Sequence, residues 1–467
     1  DPLWSRGLGD VYKRQDMSKK YEMDMTTGVI MPKVITFALP LMAASVLQLL
    51  FNAADIVVVG RFVSPQAMAA VGSTESLVNL IIQLFVGFSI GVNVCVGKYY
   101  AAKRQEEMSD TIHSSILVSV IFGAILCVAG IILARPMLEL MGSPSDVIED
   151  SVLYLRIYFL GMPLIMLYDF AAAILRAVGD TKRPLYFQMI AGVINVILNL
   201  FFVLVVGIGV AGVAIATTIS QGFSGIALLI TLMREKGALH LDLRKLHINW
   251  KILRSIMEIG LPAGLQSTVF SLSNVVIQSS INSFGSVAMA GATAAQNIEA
   301  FVYASMNSIY QTNLSFTAQN LGARKYSRIN LILKDCLITV VLIGLVMGIG
   351  AVMLDPWLLR FFTTDAEVVR YGQERLLVVC GPYFLCGIMD VMVGSLRGLG
   401  YSVIPMFVSL IGACGLRIVF ILTLFRLPYF HSLNWLYMSY PITWTITFTA
   451  HFITFLRVRR KFPKADA

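Results

Sequence analysis

Asp55 falls inside a long apolar stretch, where an ionised side chain is costly to bury and is therefore a functional candidate. A carboxylate in that setting can take up and release a proton or, with neighbouring oxygens, hold a sodium ion. Asn195 and Asn199 stand one helical turn apart in another apolar stretch, so both amides share a face and their oxygens can line a cation site. Asp169 precedes Arg176 by the same two helical turns that separate Asp390 from Arg397. That spacing, about 10 Å along the axis, keeps each pair on one face but too far apart to touch unless the arginine folds back. Glu299, Gln278 and Asn274 together offer a negative, polar lining that attracts a cation, with interhelical hydrogen bonding as the rival role. Met162, Met166, Met289 and Met306 lie on apolar stretches, and flexible thioethers suit promiscuous apolar binding as well as ordinary packing.

The elements that must position these residues are membrane helices. A chain of 467 residues with 57% hydrophobic and 13% charged residues and a mean hydropathy of +0.76 is too apolar for an ordinary soluble fold. Stretches long enough to span a bilayer, about 20 residues each, are predicted at 34–59, 73–97, 112–134, 151–174, 185–206 and 210–233. After a polar stretch from Arg234 to Ile259, six more follow at 261–283, 291–318, 332–354, 371–395, 404–425 and 434–456. The fold class is therefore all-α and integral to the membrane, with 12 transmembrane helices. Lys and Arg concentrate in the N-terminal tail, the even-numbered loops and the C-terminal tail, as cytoplasmic segments require. Only Arg156 and Arg417 are read as lying inside spans; Arg375 is counted with the odd-numbered loops. Both termini are expected in the cytoplasm and the protein in the cell inner (plasma) membrane, with Arg457, Arg459, Arg460 and Lys461 anchoring the last helix. The net charge of +9 follows from these short loops and implies no nucleic-acid partner. Cys95, Cys127, Cys336, Cys380, Cys386 and Cys414 lack metal-type spacing and are expected as free thiols in or at the ends of spans.

A duplication organises the spans. The pattern L-R-x-x-G-x-x-x-x-P occurs as Leu175, Arg176, Gly179, Pro184 and as Leu396, Arg397, Gly400, Pro405, each time in the loop after a long apolar run. Leu39-Pro40 matches Leu261-Pro262, and the same shift pairs Ser45 with Ser267, Asn52 with Asn274, Phe62 with Phe284 and Lys103 with Lys325. The expected layout is an N-lobe at 17–233, a cytoplasmic linker at 234–260, a C-lobe at 261–456 and a basic tail at 457–467. Because each lobe has an even number of spans, the two should be related by a pseudo-two-fold axis along the membrane normal, with a substrate cavity between them. Pro40, Pro163, Pro262 and Pro382 lie within or at the edge of spans and are candidates for kinks or for static packing. Ser5 to Gln15 resembles a translated transposase-based sequencing adapter. Residues 1–16 are accordingly set aside, with a natural start at Met17 and no cleavable signal after it.

In combination these segments resemble the multidrug and toxic compound extrusion (MATE) transporters. The likeness rests on the L-P start of each lobe, F-N-A-A-D-I-V-V-V-G-R (Phe51 to Arg61), L-R-A-V-G-D-T-K-R-P (Leu175 to Pro184), N-V-I-L-N (Asn195 to Asn199) and A-Q-N-L-G-A-R-K (Ala318 to Lys325). It implies two six-helix lobes in a V and export of amphipathic, often cationic compounds against an inward flow of protons or sodium ions. Asp55 matches the family's first-helix aspartate. Tyr154 and Thr217 or Thr218 match further polar positions of its N-lobe site. Where the family commonly has Asp, this chain has Asn199, which weakens the case for a sodium site with two carboxylates. Asp390 falls on a helix where some members carry an acidic residue, and family topology makes it the nearest candidate partner for Arg417.

No G-x-x-x-x-G-K-[ST] loop is present, so an ion gradient is the expected power source. The expected function is antiport by a monomer in contact with membrane lipids. Its substrate is an amphipathic, cationic small molecule, and it has no cofactor apart from the coupling ion, H+ or Na+. Ion coupling is weighted toward the N-lobe. A lipid-linked precursor flippase of the same superfamily is the alternative within transport and would favour a more basic cavity. A membrane-embedded enzyme is disfavoured because His113, His240, His247, His431 and His451 form no paired motif. A channel is disfavoured by the lobe duplication.

Overall fold

The computed structural model describes residues 21–141, 143, 145–464 and 466, so the adapter-like segment and Met17 lie outside the described residues. Among the described residues all regular structure is helical. The first six spans are α1 (Ile30–Phe62), α2 (Pro65–Ala101), α3 (Gln105–Leu140), α4 in two arms (Ile148–Leu160 and Met162–Ala177), α5 (Lys182–Leu200) continued by a π-helical turn (Phe201–Val206), and α6 (Gly209–Arg234). The second six are α7 (Trp250–Asn282), α8 (Ser286–Gly322), α9 (Tyr326–Met353), α10 in two arms (Ala366–Val379 and Phe384–Gly398), α11 (Val403–Ser409 and Leu416–Leu422, joined by a π-helical turn Leu410–Gly415), and α12 (Leu433–Arg459). Each expected span coincides with one of these helices or bent pairs.

Seven of them are long and apolar enough to cross a membrane unaided, and the two bent pairs raise the number to nine. The remaining three, α7, α8 and α12, are 33, 37 and 27 residues long but more polar. In α8 and α12 much of this polarity faces protein. Ser305, Ser308, Thr312, Asn313, Thr317 and Asn320 of α8 are buried, as are Thr443, Thr447 and His451 of α12. Elsewhere the outward faces are apolar: Val205 and Val346 are each 72% exposed, a surface that belongs against lipid rather than water.

The chain divides into two compact units. One holds Leu47–Ile256 with the segment ending at Thr27, and the other holds Gly28–Val46 and Met257–Ala467. The boundaries therefore fall within α1 and α7, and the first part of α1 packs with the second unit, where Phe37 meets Phe316 edge-on at 5.6 Å. Each unit has the same plan. In the first, both arms of α4 pack against α2, α3 and α6, with α5 beside α6; in the second, both arms of α10 pack against α8, α9 and α12, with α11 beside α12.

The two central helices are broken at their prolines. The arms of α4 meet at 51°, with Pro163 in the first turn of the second arm, and those of α10 at 47°, with Pro382 in the break. Gly123 of α3 and Gly348 of α9 let the neighbouring helix approach these breaks so closely that a Cβ would collide with Pro163 and with the Cys380 carbonyl. Pro40 and Pro262 lie inside unbroken helices.

The repeated loop pattern closes both bent helices in the same way. Asp180 N–H donates to the Leu175 carbonyl and Tyr401 N–H to the Leu396 carbonyl, both at 2.9 Å, while Gly179 and Gly400 take φ of +97° and +88°. In the first copy Asp180 accepts from the backbone N–H groups of Lys182 and Arg183 at 3.1 Å, capping α5, and Arg183 bridges Asp180 and Glu235. Burial pushes the Asp180 carboxyl up, against the opposing pull of Arg183. In the second copy Ser402 donates to the Ile259 carbonyl at 2.7 Å. One pairing inferred from the sequence needs correction. Lys103 and Arg324 share a left-handed conformation at φ +56° and +57° after α2 and α8, so Lys103 corresponds to Arg324 rather than Lys325. The one-residue slip lies before these helices, whose caps are Ser64 and Gly285.

The two glycines predict unequal costs. Gly179→Ala combines backbone strain of about 1–3 kcal/mol with overlap on the Met23 backbone, whereas a Cβ at Gly400 meets open space. Thermal unfolding in detergent should show a clearly larger loss of melting temperature for Gly179→Ala than for Gly400→Ala.

Candidate functional site

Polar residues gather where α1, α5 and α6 meet in the first unit. Gly192 of α5 admits the ring of Phe51, which a Cβ there would overlap. One to two turns further along these helices, that close approach sets Asp55 against Asn195 and Asn199. Asn199 Nδ2 donates to Asp55 Oδ1 at 2.5 Å and also lies 3.2 Å from Asn195 Oδ1. The Thr217 hydroxyl of α6 donates to Asp55 Oδ2 at 3.1 Å and accepts from Asn195 Nδ2 at 3.2 Å. Asp55, Asn195 and Asn199 are all buried, and Asn199 Oδ1 has no hydrogen-bond partner.

The two threonine candidates separate here. Thr217 enters the cluster, whereas Thr218 donates to the Ile157 carbonyl of α4 at 3.3 Å and fastens helix to helix. Tyr154 is buried among Val58, Val59, Val203, Val210, Val213 and Ala214, with its ring stacked on Tyr158 at 6.1 Å. The cluster thus presents one carboxylate to neutral hydrogen-bond partners, with amide and hydroxyl oxygens close by. Such a donor set suits a proton or a hard monovalent cation. The π-helical turn of α5 starts directly after this cluster, and such turns are frequent at functional sites.

The second unit is organised around arginines. Glu299 of α8 forms a bidentate ion pair with Arg375 of α10, at 2.7 Å to Nε and 2.8 Å to Nη2. The negative charge expected to line a substrate cavity is therefore engaged by a buried guanidinium. Loop-charge counting leaves Arg375 among the odd-numbered loops; it is instead buried in the first arm of α10, over the rings of Tyr437 and Tyr440 at 5.2 and 5.7 Å. The signal was its position inside the stretch 371–395.

Arg417 has a different partner from the one expected. Its Nε donates to Thr443 Oγ1 at 2.9 Å and its guanidinium lies over Tyr440 at 4.1 Å and Trp444 at 5.7 Å, with no ion pair to Asp390. Span 11 places Arg417 opposite the aromatic face of α12, and that packing decides its contacts. A desolvated cation–π contact contributes about 2 kcal/mol, against a desolvation cost of several kcal/mol for a buried ion. Its Nη2 has no partner.

Asp390 is half-buried beside Tyr303. Arg397, two turns along, donates instead to the Tyr310 hydroxyl at 2.7 Å and to Gln266 Oε1 at 2.9 Å, so the recurring Asp and Arg do not form a contact pair. Among the described residues Asp169 and Arg176 form no ion pair either. Gln278 donates to Asn282 and accepts from Gln296 of α8, both at 2.9 Å, and Asn274 is exposed. Met162 and Met166 lie in the apolar core with Leu155 and Phe159, and Met306 packs against Gly344 and Gly387; Met289 is 39% exposed.

The buried pair in the second unit gives a stability prediction. Glu299→Gln leaves the Arg375 charge without its partner and should cost about 3–5 kcal/mol. The double variant Glu299→Leu/Arg375→Met should regain most of that loss, as read by thermal unfolding in detergent.

Comparison with known proteins places these two units. The MatE family model matches residues 40–201 and again 262–423. The chain is 28% identical over 391 residues to the probable multidrug resistance protein YoeA of Bacillus subtilis (strain 168), covering 82% of this chain and 84% of that protein. It is 26% identical over 401 residues to the probable multidrug resistance protein YpnP of the same organism, covering 85% and 89%. An outward-facing multidrug resistance MATE family transporter of the MOP superfamily shares the fold with a TM-score of 0.85 at 19% identity, over 94% of this chain and 98% of that one. Matched by the family model once in each six-helix half, over most of its length, the chain belongs to the MATE family of membrane efflux transporters.

Proposed function

We propose that this transporter exports amphipathic compounds bearing a cationic group in exchange for protons or sodium ions, with Asp55 as the coupling carboxylate. The observation that carries the proposal is the buried Asp55 cluster, in which a single negative charge is held by Asn199 and Thr217 without a basic partner. Protonation from the outer side converts one Asp55 oxygen from acceptor to donor. Thr217 or Asn199 must then turn, and the unpartnered Asn199 Oδ1 is ready to accept the new hydrogen bond. Because these side chains sit on α1, α5 and α6, their rearrangement shifts three helices together and lowers affinity for substrate. A sodium ion would draw on the same oxygens. In the second unit Asp390 accepts from Tyr303, forms no ion pair among the described residues, and is the attraction for a cationic group.

The alternation of basic loops supports a position in the inner membrane with both termini in the cytoplasm, and the protein is taken to act as a monomer. The names of its relatives support multidrug export.

Asp55→Asn should abolish gradient-driven export while the protein remains in the membrane, measured as uptake of a fluorescent cation into inverted vesicles. Undiminished export by that variant would end the proposal. Thr217→Val should reduce export about tenfold or more, the loss of a hydrogen bond to a charged group, whereas Thr218→Val should stay within twofold. Imposing proton and sodium gradients separately on the same vesicles identifies the coupling ion, since only one should sustain transport.

A further inference from the structure

Arg417 combines three observations that the coupling mechanism does not use. It is 3% exposed, its Nη2 has no hydrogen-bond partner, and among the described residues its side chain bonds only the neutral Thr443. The groups around it are Tyr440, Trp444, Tyr383, Cys386 and Cys414, with no carboxylate among them. Arginine stays charged in proteins, so its charge is balanced only by ring faces.

The surroundings favour an anion in a further way. Tyr383 and Cys386 belong to the start of the second arm of α10, a 15-residue helix that begins inside the membrane span at the 47° break. The positive end of its dipole lies beside the guanidinium. The π-helical turn Leu410–Gly415 ends immediately before Leu416 and Arg417, which breaks the regular register of α11 at this point.

Cys386 also lies within electrostatic reach of Asp390, one turn further along the same arm. Asp390 accepts a hydrogen bond from Tyr303 and forms no ion pair with Arg417.

We propose that Arg417 binds an anionic group, a carboxylate or phosphate, of the transported amphipath, so that the second unit recognises molecules carrying both charges. The planar guanidinium offers a two-pronged donor to such a group, the aromatic faces of Tyr440 and Trp444 cover the adjoining apolar part, and Asp390 takes the cationic end. This deepens the reading of the protein as an exporter of amphipathic compounds and rests on it.

Equilibrium binding to the full chain in detergent tests the assignment without a gradient. The probes are 4-(aminomethyl)benzoate, which carries both charges, benzylamine, which carries only the cation, and inorganic phosphate. Thermal stabilisation by 4-(aminomethyl)benzoate should saturate, and Arg417→Gln should weaken its apparent Kd at least tenfold while leaving the response to benzylamine unchanged. Arg417→Lys, which keeps the charge but loses the planar fork, should show an intermediate loss and carries the test if Arg417→Gln does not fold. No response of the unaltered protein to 4-(aminomethyl)benzoate, or equal affinity in the Arg417 variants, overturns the proposal. Inorganic phosphate competing as strongly as 4-(aminomethyl)benzoate also overturns it, since the site would then hold a free anion. Asp55→Asn should bind 4-(aminomethyl)benzoate normally even where it no longer exports, so failure of the coupling mechanism and failure of this site are separate results.

Discussion

The hydrogen bonds from Asn199 and Thr217 to the Asp55 carboxylate express a constraint that governs the whole molecule. Hydrocarbon supplies no partners, so each polar side chain within the spans must find one inside the protein or remain a cost. The first unit meets this constraint with amides and a hydroxyl around a lone carboxylate. The second meets it with Glu299 and Arg375 locked together, and leaves Arg417 on aromatic faces. The same requirement explains why α8 and α12 turn their hydroxyls and amides toward neighbouring helices and their apolar sides outward.

Duplication therefore preserved a scaffold while its polar contents diverged. Both units pack around a central helix broken near a proline, and both close that helix with a glycine of positive φ. Each also carries a π-helical turn in its fifth helix, but at different heights: two residues after Asn199 in α5 and directly before Leu416 and Arg417 in α11. A shift of that turn changes which residue is presented at the polar site, which is one way identical scaffolds acquire carboxylate chemistry in one half and guanidinium chemistry in the other.

Much of this was legible in the sequence because it depends on spacing. Twelve apolar stretches, a repeated loop pattern, and two asparagines one turn apart each state their geometry directly. Asp55 stood out because a charge in such a stretch is rare. What escaped depends on packing between distant segments. Adjacent threonines point in directions about 100° apart on a helix, and only the approach of α4 and α1 decides that Thr217 faces Asp55 while Thr218 faces Ile157. Pro163 and Pro382 mark breaks, yet Pro40 and Pro262 look no different in the chain and lie in continuous helices. A single charge near the end of a span, such as Arg375, can be assigned to either side until Glu299 is seen opposite it.

The polarity of α7, α8 and α12 also bears on how the protein enters the membrane. A helix rich in Asn, Gln, Ser and Thr gains little from hydrocarbon alone, since those groups are bare when it first leaves the ribosome. These three helices thus depend for stable insertion on the company of more apolar ones, such as α9 and α11. The second half of the chain is accordingly the part whose assembly is most sensitive to the order in which segments are synthesised, although its finished plan matches that of the first.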